Sequence, residues 1–122
     1  MTDLTQLGQA GERHAERFLR KLGYRTVTRN YRCSTGEIDL VVLDGKMIVF
    51  VEVKTRTGAE HADPQDAVTR IKQQRVISAA KAFIQQTRSQ GRACRFDVVA
   101  ITMAGEKPGK IEHFPNAFSV TG

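Results

Sequence analysis

Residues 36–54 read GEIDLVVLDGKMIVFVEVK, from Gly36 to Lys54, and their pattern decides the fold. Glu37 to Leu43 and Lys46 to Lys54 are two β-rich runs joined by Asp44-Gly45, a strong short-range signal for a hairpin. With Asp44 and Gly45 as the two turn residues, Leu43 faces Lys46, Val41 faces Ile48, Asp39 faces Phe50 and Glu37 faces Glu52. Strand alternation then sets Glu37, Asp39, Glu52 and Lys54 on one side of the sheet, with Asp39 and Glu52 as diagonal neighbours. The other side carries Ile38, Leu40, Val42, Val49, Val51 and Val53 and suits burial against a helix. A one-residue slip would reverse the faces of Glu52 and Lys54, so the placement rests on the turn.

Working outward, Leu7 to Leu22 carries apolar or small residues at Leu7, Ala10, Gly11, His14, Ala15, Phe18, Leu19 and Leu22, a helical stripe that Gly23 ends. Tyr24 to Tyr31 alternates loosely and predicts a strand. Thr55 to Asp66, with Gly58 and Pro64, reads as a loop. A second helix is expected from about Ala67 to Thr87, with Val68, Val76, Ala79, Ala80 and Phe83 inward. Cys94 to Ile101 predicts a further strand, Lys107-Pro108-Gly109 a turn, and Ile111 to Phe114 a last short strand. The order is helix, three strands, helix, strand: an α/β fold with one small mixed sheet flanked by helices.

The 122 residues fit a single domain, 1–122, long enough to bury roughly two thirds of the surface of its unfolded chain. At 40% hydrophobic and 26% charged the composition excludes collagen-like, low-complexity and wholly disordered classes. No apolar run approaches the ~18 residues of a membrane span, and the N-terminus lacks the pattern of a secretory signal. Cys33 and Cys94 form neither a disulfide framework nor a metal knuckle. The expectation is a reduced, soluble, cytoplasmic protein without a membrane partner.

The acidic face of the hairpin is its anomaly. Close carboxylates repel, and ionised groups within an apolar stretch are costly to desolvate. A divalent cation relieves both: Mg²⁺ binds through one or two carboxylates while keeping waters and accepting phosphate oxygens. A metal there polarises a phosphoryl group and makes a nucleophile from water near neutral pH, and Lys54 beside it suits orienting that water or stabilising developing charge. The structural alternative is surface ion pairing, Lys54 with Glu52 and Arg56 with Glu37, worth about 0–1 kcal/mol. His14 reads as a packed core residue, and His61 and His113 have no partner in sequence.

Gly36-Glu37-Ile38-Asp39-Leu40 followed by Val49-Phe50-Val51-Glu52-Val53-Lys54-Thr55-Arg56 resembles the PD-(D/E)xK nuclease signature. In its specific form it is similar to the YraN-like family of small bacterial proteins, relatives of archaeal Holliday junction resolvases. Gly11-Glu12 with Ala15, Gly23-Tyr24, Arg29-Asn30-Tyr31 and Asn116-Ala117-Phe118 extend the resemblance over nearly the whole chain. It implies a restriction-endonuclease-like αβββαβ core. It also implies that Asp39 and Glu52, with the Val53 carbonyl, bind Mg²⁺ or Mn²⁺, that Lys54 is the catalytic lysine, and that Glu12 completes the site. Glu12 borders the apolar stripe whereas Glu16 points further toward solvent on a helical wheel, so Glu12 is the better match. Glu37 is a further candidate, as an aid to the metal site or a partner for an arginine. Ile38 stands where the strict signature has Pro. Fold transfers across such a resemblance more safely than reaction.

The net charge of +6 hides a segregation. Seven basic residues lie from Arg13 to Arg32 against Glu16 alone, and seven more from Arg70 to Arg95 with no acid between them. Glu37 to Asp66 inverts this, with seven acids against Lys46, Lys54 and Arg56. Basic flanks around an acidic centre suit a nucleic-acid partner, and Arg29, Arg32, Thr55, Arg56, Lys72 and Arg75 are the candidate contacts. Trp 0, Tyr 2 and Phe 6 leave no aromatic ladder for single-stranded bases, which favours backbone or shape recognition of duplex or branched DNA over base reading. The expected partner is nucleic acid, DNA ahead of RNA. The expected function is a metal-dependent endonuclease hydrolysing DNA phosphodiester bonds, with branched or junction DNA as the candidate substrate; the alternatives are a catalytically inactive nucleic-acid-binding module of the same fold and a small structural or adaptor protein. Resemblance to resolvases, which act as two-fold dimers, implies a homodimer.

Overall fold

The structure, a computed structural model, describes residues 4–57 and 68–120. The elements are α1 (Leu4–Lys21), β1 (Arg25–Cys33), β2 (Gly36–Asp44), β3 (Met47–Thr57), α2 (Arg70–Gln86), β4 (Cys94–Ala104) and β5 (Lys107–Phe118). The five strands form one mixed sheet in sequence order. All neighbours are antiparallel except β3 and β4, whose parallel pairing needs the crossover that α2 supplies.

Each helix covers its own apolar cluster. Ala15 and Leu19 of α1 pack with Leu40, Val42, Val49, Val51, Val99 and Ile101. Val76, Ala79, Ala80 and Phe83 of α2 pack with Ile38, Val41, Ile48, Phe50, Phe96 and Val98. A five-stranded mixed sheet flanked by two helices is the arrangement expected of a restriction-endonuclease-like core. Gly23, at φ +98°, ends α1 as its residue type predicts: its N–H donates to the Arg20 carbonyl and that of Tyr24 to the Leu19 carbonyl, the paired bonds of a Schellman cap.

The hairpin turn is Gly45-Lys46, not Asp44-Gly45, because Asp44 pairs with Met47. Gly45 takes φ +60° at the first central position, where glycine is needed for a type II′ turn. The register therefore moves by two, and the faces of Leu40 to Val42 and of Ile48 to Val51 are kept. Asp39, however, lines a cleft on the α1 side and Glu52 a recess on the α2 side, instead of sharing one face. Leu43 opposes Ile48 and Val41 opposes Phe50; continued past the last pair, Leu40–Val51, it sets Asp39 directly against Glu52 rather than diagonal to it. Ile38 is also corrected: it joins Val41 on the α2 side while Leu40 joins the α1 side. The alternation changes phase at Asp39, where the two strands part.

Other boundaries shift for readable reasons. Thr55 to Thr57 continue β3 instead of opening a loop; the remainder of that loop, with Gly58, His61 and Pro64, lies outside the described residues, as does Ala67. The second helix starts at Arg70, where the Thr69 side chain accepts from the Lys72 N–H as an N-cap. The turn expected at Lys107-Pro108-Gly109 is at Gly105-Glu106, with Gly105 at φ +69°. Pro108 and Gly109 instead lie in β5, much longer than its apolar run Ile111 to Phe114 suggests; it is an edge strand, where a missing proline N–H is tolerated.

Gly36 lies where β2 passes under α2. A Cβ there would sit 1.9 Å from the Arg75 carbonyl oxygen, a backbone atom that cannot turn aside. Gly36→Ala is expected to cost about 1–3 kcal/mol or more, read as a fall in the urea midpoint at unchanged m-value.

Candidate metal centre

The centre forms where the β2–β3 ladder stops. Bonded pairs alternate along an antiparallel hairpin, and after Leu40–Val51 the next in register would be Ile38–Val53. The pairing ends at Leu40–Val51, and the Val53 N–H donates to Asp39 Oδ2 at 2.8 Å. The Asp39 carboxylate thus replaces a main-chain acceptor in the widening gap. A strand residue's N–H and C=O point to the same edge, so the Val53 carbonyl faces that gap too.

Three carboxylates meet around it. Asp39 interacts with Glu52 from β3 and with Glu12 from α1. Asp39 and Glu12 line a cleft of about 310 Å³ under α1, together with Gln9, Arg13, Arg29 and Asn30. Glu52 opens toward α2, in a recess shared with Glu37, Lys72 and Arg75. The site therefore lies between the helices, with acid on the axis and cations on both rims.

Its electrostatics are those of crowded, desolvated acids. Burial, then the neighbouring Asp39 charge, pushes Glu52 up to about 8. Glu12 rises to about 6 for the same two reasons, in the same order, although a hydrogen bond from Asn30 opposes the shift. Burial also raises Asp39, against the Val53 N–H. Without a cation the site is relieved by keeping a proton.

That state has a consequence for stability. An acid with a raised folded pKa supports the fold fully below its unfolded value, 4.5 for Glu52, and the support is lost as pH rises toward about 8. The metal-free protein is expected to lose stability, on the order of a few kcal/mol, between pH 5 and 8. Glu52→Gln should flatten that decline in thermal melts run with a chelator, and a slope unchanged by the substitution would refute the assignment.

The donor set fits a hard cation of low protein ligand number. Among the described residues no three His, Cys, Asp or Glu side chains form a ready metal cluster. Two carboxylates, Asp39 and Glu52, with the Val53 carbonyl are what Mg²⁺ uses when water and phosphate complete its shell. Lys54 lies two residues beyond Glu52 on the same face of β3, half-buried, and forms no ion pair among the described residues.

The remaining candidates are distributed differently from their sequence reading. Arg56 is buried at 6% exposure. Thr55 packs on α1, its Oγ1 1.8 Å from where a Cβ on Gly11 would sit. Arg56 thus lies off the open surface, and Thr55 is half-buried. Glu37 pairs at 3.5 Å with Arg32, not Arg56, and both are exposed, so the pair contributes little. Lys72 and Arg75 are exposed beside Glu52 and Glu37. Glu16, expected toward solvent, is buried: it accepts from Arg29 Nε at 2.7 Å, Arg29 Nη2 at 2.6 Å and Thr26 Oγ1 at 2.8 Å. These bonds, the Arg29 fork first, hold its carboxyl below the usual range.

Asn30 was not singled out as a site residue from the sequence, yet it lines the acidic cleft at φ +50°. Asparagine tolerates that conformation better than most side chains, and Arg29-Asn30 inside a β-rich run was its only signal. His113, without a partner in sequence, binds Asp97 at 2.7 Å; no local pattern joins residues 16 apart on neighbouring strands.

The model of the uncharacterised protein family UPF0102 matches residues 11–101, from Gly11 within α1 to Ile101 in β4. The chain belongs to the UPF0102 family. A UPF0102 protein of Geobacter metallireducens is 47% identical over 114 residues, covering 93% of each chain. One of Geobacter sulfurreducens is 46% identical over 93% of this chain and 89% of its own, and one of Pelotomaculum thermopropionicum 43% identical over 92% and 94%. The UPF0102 match thus includes every carboxylate of the centre. No helix among the described residues is long and apolar enough to cross a membrane.

Proposed function

We propose that this UPF0102 protein is a metal-dependent endonuclease of the PD-(D/E)xK superfamily that hydrolyses DNA phosphodiester bonds, at branched or junction DNA. The observation that carries the reading is the Asp39–Glu52 pair at the parting of β2 and β3, raised toward the protonated state with Lys54 on the same strand. Two desolvated acids are a liability for a merely structural sheet and a fitting seat for a cation. Asp39, Glu52 and the Val53 carbonyl would hold Mg²⁺ or Mn²⁺, which supplies Lewis-acid polarisation of the phosphoryl group and a nucleophile from water near neutral pH.

The chain's own groups do the rest. The Lys54 ammonium orients the attacking water or offsets charge growing on the phosphate. Glu12, near 6 and held by Asn30, is placed to take or return a proton at the edge of the site. Arg29, Arg32, Lys72 and Arg75 supply positive charge on either rim for phosphates of the bound strand. A homodimer working in the cytoplasm on two-fold DNA completes the proposal.

The test is a cleavage panel of single-stranded, duplex, flap and four-way-junction DNA with Mg²⁺, Mn²⁺ or a chelator. Cleavage that requires the metal supports the reading. Salt-dependent binding with no turnover on any substrate refutes catalysis and leaves a binding module of the same fold.

A further inference from the structure

The acidic cleft under α1 does not end at Glu12. It shares Arg13, Glu16 and Arg29 with a second, basic cleft of about 500 Å³ lined by Arg13, Glu16, Arg17, Arg20, Lys21 and Arg29. That one shares Arg20 and Arg29 with a third, which reaches Tyr24, Arg25 and Thr26. Together they make one groove between α1 and β1, acidic at its head and basic along its length.

We infer that the α1–β1 groove is a track for the phosphodiester backbone of one DNA strand, leading away from the Asp39–Glu52 centre. The inference rests on the nuclease reading for its ligand but concerns a different surface. Three observations carry it. First, Arg13, Arg17 and Arg20 are all exposed and recur at helical spacing on one face of α1. With a rise of 1.5 Å per residue, Arg13 and Arg20 are about 10 Å apart along the axis, the rise of about three nucleotides of one strand.

Second, the one acid along the groove's basic length is already committed. Glu16 is spent on Arg29 and Thr26, so it offers an incoming anion little net repulsion. The fork it makes instead holds the Arg29 guanidinium, whose side chain remains 61% exposed, at the wall common to all three clefts. A guanidinium held through two donors keeps others for a phosphate oxygen. Glu16 is therefore a positioning residue: it sets the arginine at the junction of the acidic head and the basic length.

Third, the charge gradient has the right sense. A bare carboxylate cluster repels DNA, and the flanking phosphates must be held elsewhere while the scissile one reaches the centre. The groove provides that hold on the α1 side, and no base-reading group is needed.

The experiment compares two variants that lose the same charge. Arg17→Ala/Arg20→Ala removes two groove arginines that do not line the acidic cleft. Lys81→Ala/Lys110→Ala removes two exposed lysines, one on α2 and one on β5, the sheet edge opposite β1. Binding of labelled duplex and four-way-junction DNA is measured with a chelator present, over a range of KCl, and cleavage is measured separately.

The groove variant is expected to lose affinity about tenfold or more, and its slope of log K against log salt should fall by between one and two, at ~0.7–0.9 per phosphate contact. The lysine variant should keep the wild-type slope. Glu16→Gln, which keeps an acceptor but loses the charge on which the Arg29 fork depends, should weaken binding severalfold while the exposed arginines are untouched. Equal loss in the two charge-matched variants, or no loss in the groove variant, overturns the track even if the enzyme cleaves. A groove-dependent loss of binding in a protein that never cleaves sustains the track and sinks the nuclease reading. Absence of any salt-dependent binding by the wild type overturns the track.

Discussion

Asp39→Ala is expected to lower metal-dependent DNA cleavage by about 10³-fold or more, since a lost metal seat removes several kcal/mol of transition-state stabilisation at 1.36 kcal/mol per tenfold. DNA binding measured with a chelator should survive, because the basic rims are untouched. Alanine also strips the Val53 N–H of its acceptor, a loss of about 1–3 kcal/mol for a group left unpaired. Against this, Glu52 is freed from the Asp39 charge that helps raise it. Asp39→Asn separates the two roles. Its amide oxygen can still accept from Val53, so the fold is retained, yet it carries no charge for a cation and activity should fall as far. Lys54→Ala should reduce turnover comparably with metal affinity retained. Cleavage at wild-type rate in either the Asp39 or the Lys54 variant would refute the assignment.

The largest expected loss of stability lies away from that centre. Asp97 on β4 is fully buried and accepts from Arg95 Nε at 2.9 Å, Arg95 Nη2 at 3.2 Å, the Asn116 N–H at 2.9 Å and His113 Nε2 at 2.7 Å. Arg95 goes on to Tyr24 Oη at 2.7 Å and Asp44 at 2.9 Å, tying β5, β4, the β2 end and the segment after α1 together. Asp97→Ala leaves Arg95 largely enclosed without its main counter-charge, which costs about 3–5 kcal/mol and roughly 10–20 °C in melting temperature.

The pH dependence of this network has the opposite sign to that of Glu52. Burial raises the Asp97 carboxyl, but the hydrogen bonds from His113, Arg95 and Asn116 outweigh it and leave the pKa below the ordinary 3.8. A lowered folded pKa contributes stability above the unfolded value, lost as pH falls through the folded one. Acid unfolding below about pH 4 should therefore lose part of its steepness in Asp97→Asn. Denaturant midpoints between pH 2 and 5 measure this; an unchanged profile would show that Asp97 does not drive it.

The hairpin shows how far local pattern reaches. Alternation alone set the faces of Leu40 to Val42 and Ile48 to Val51, because a two-residue change of register leaves them intact. It also put Asp39 on the face of Glu52, whereas Asp39 lines the α1 cleft and Glu52 opens toward α2. The turn itself was displaced by one residue, since both Asp44-Gly45 and Gly45-Lys46 put a glycine in a two-residue loop and only the ladder distinguishes them. Ile38 broke the pattern because strand alternation assumes a continuous ladder, and this one ends at the site. Pro108 misled in the ordinary way: as an edge-strand residue it needs no donor, and edge position is a property of the sheet rather than of the residue.

What the sequence determined by itself is the set of elements, their order, and the acidic hairpin between basic flanks. Each follows from periodicity and residue type within a few neighbours. What only the tertiary structure decided is who meets whom. Glu12 reaches Asp39 across 27 positions, Glu16 turns inward to hold Arg29, Arg56 is buried, and Asp97 gathers Arg95, His113 and Asn116. The physical reason is that charge and hydrogen-bonding energies depend on distance and on the exclusion of water. Packing two helices on a sheet sets both, and spacing along the chain carries neither.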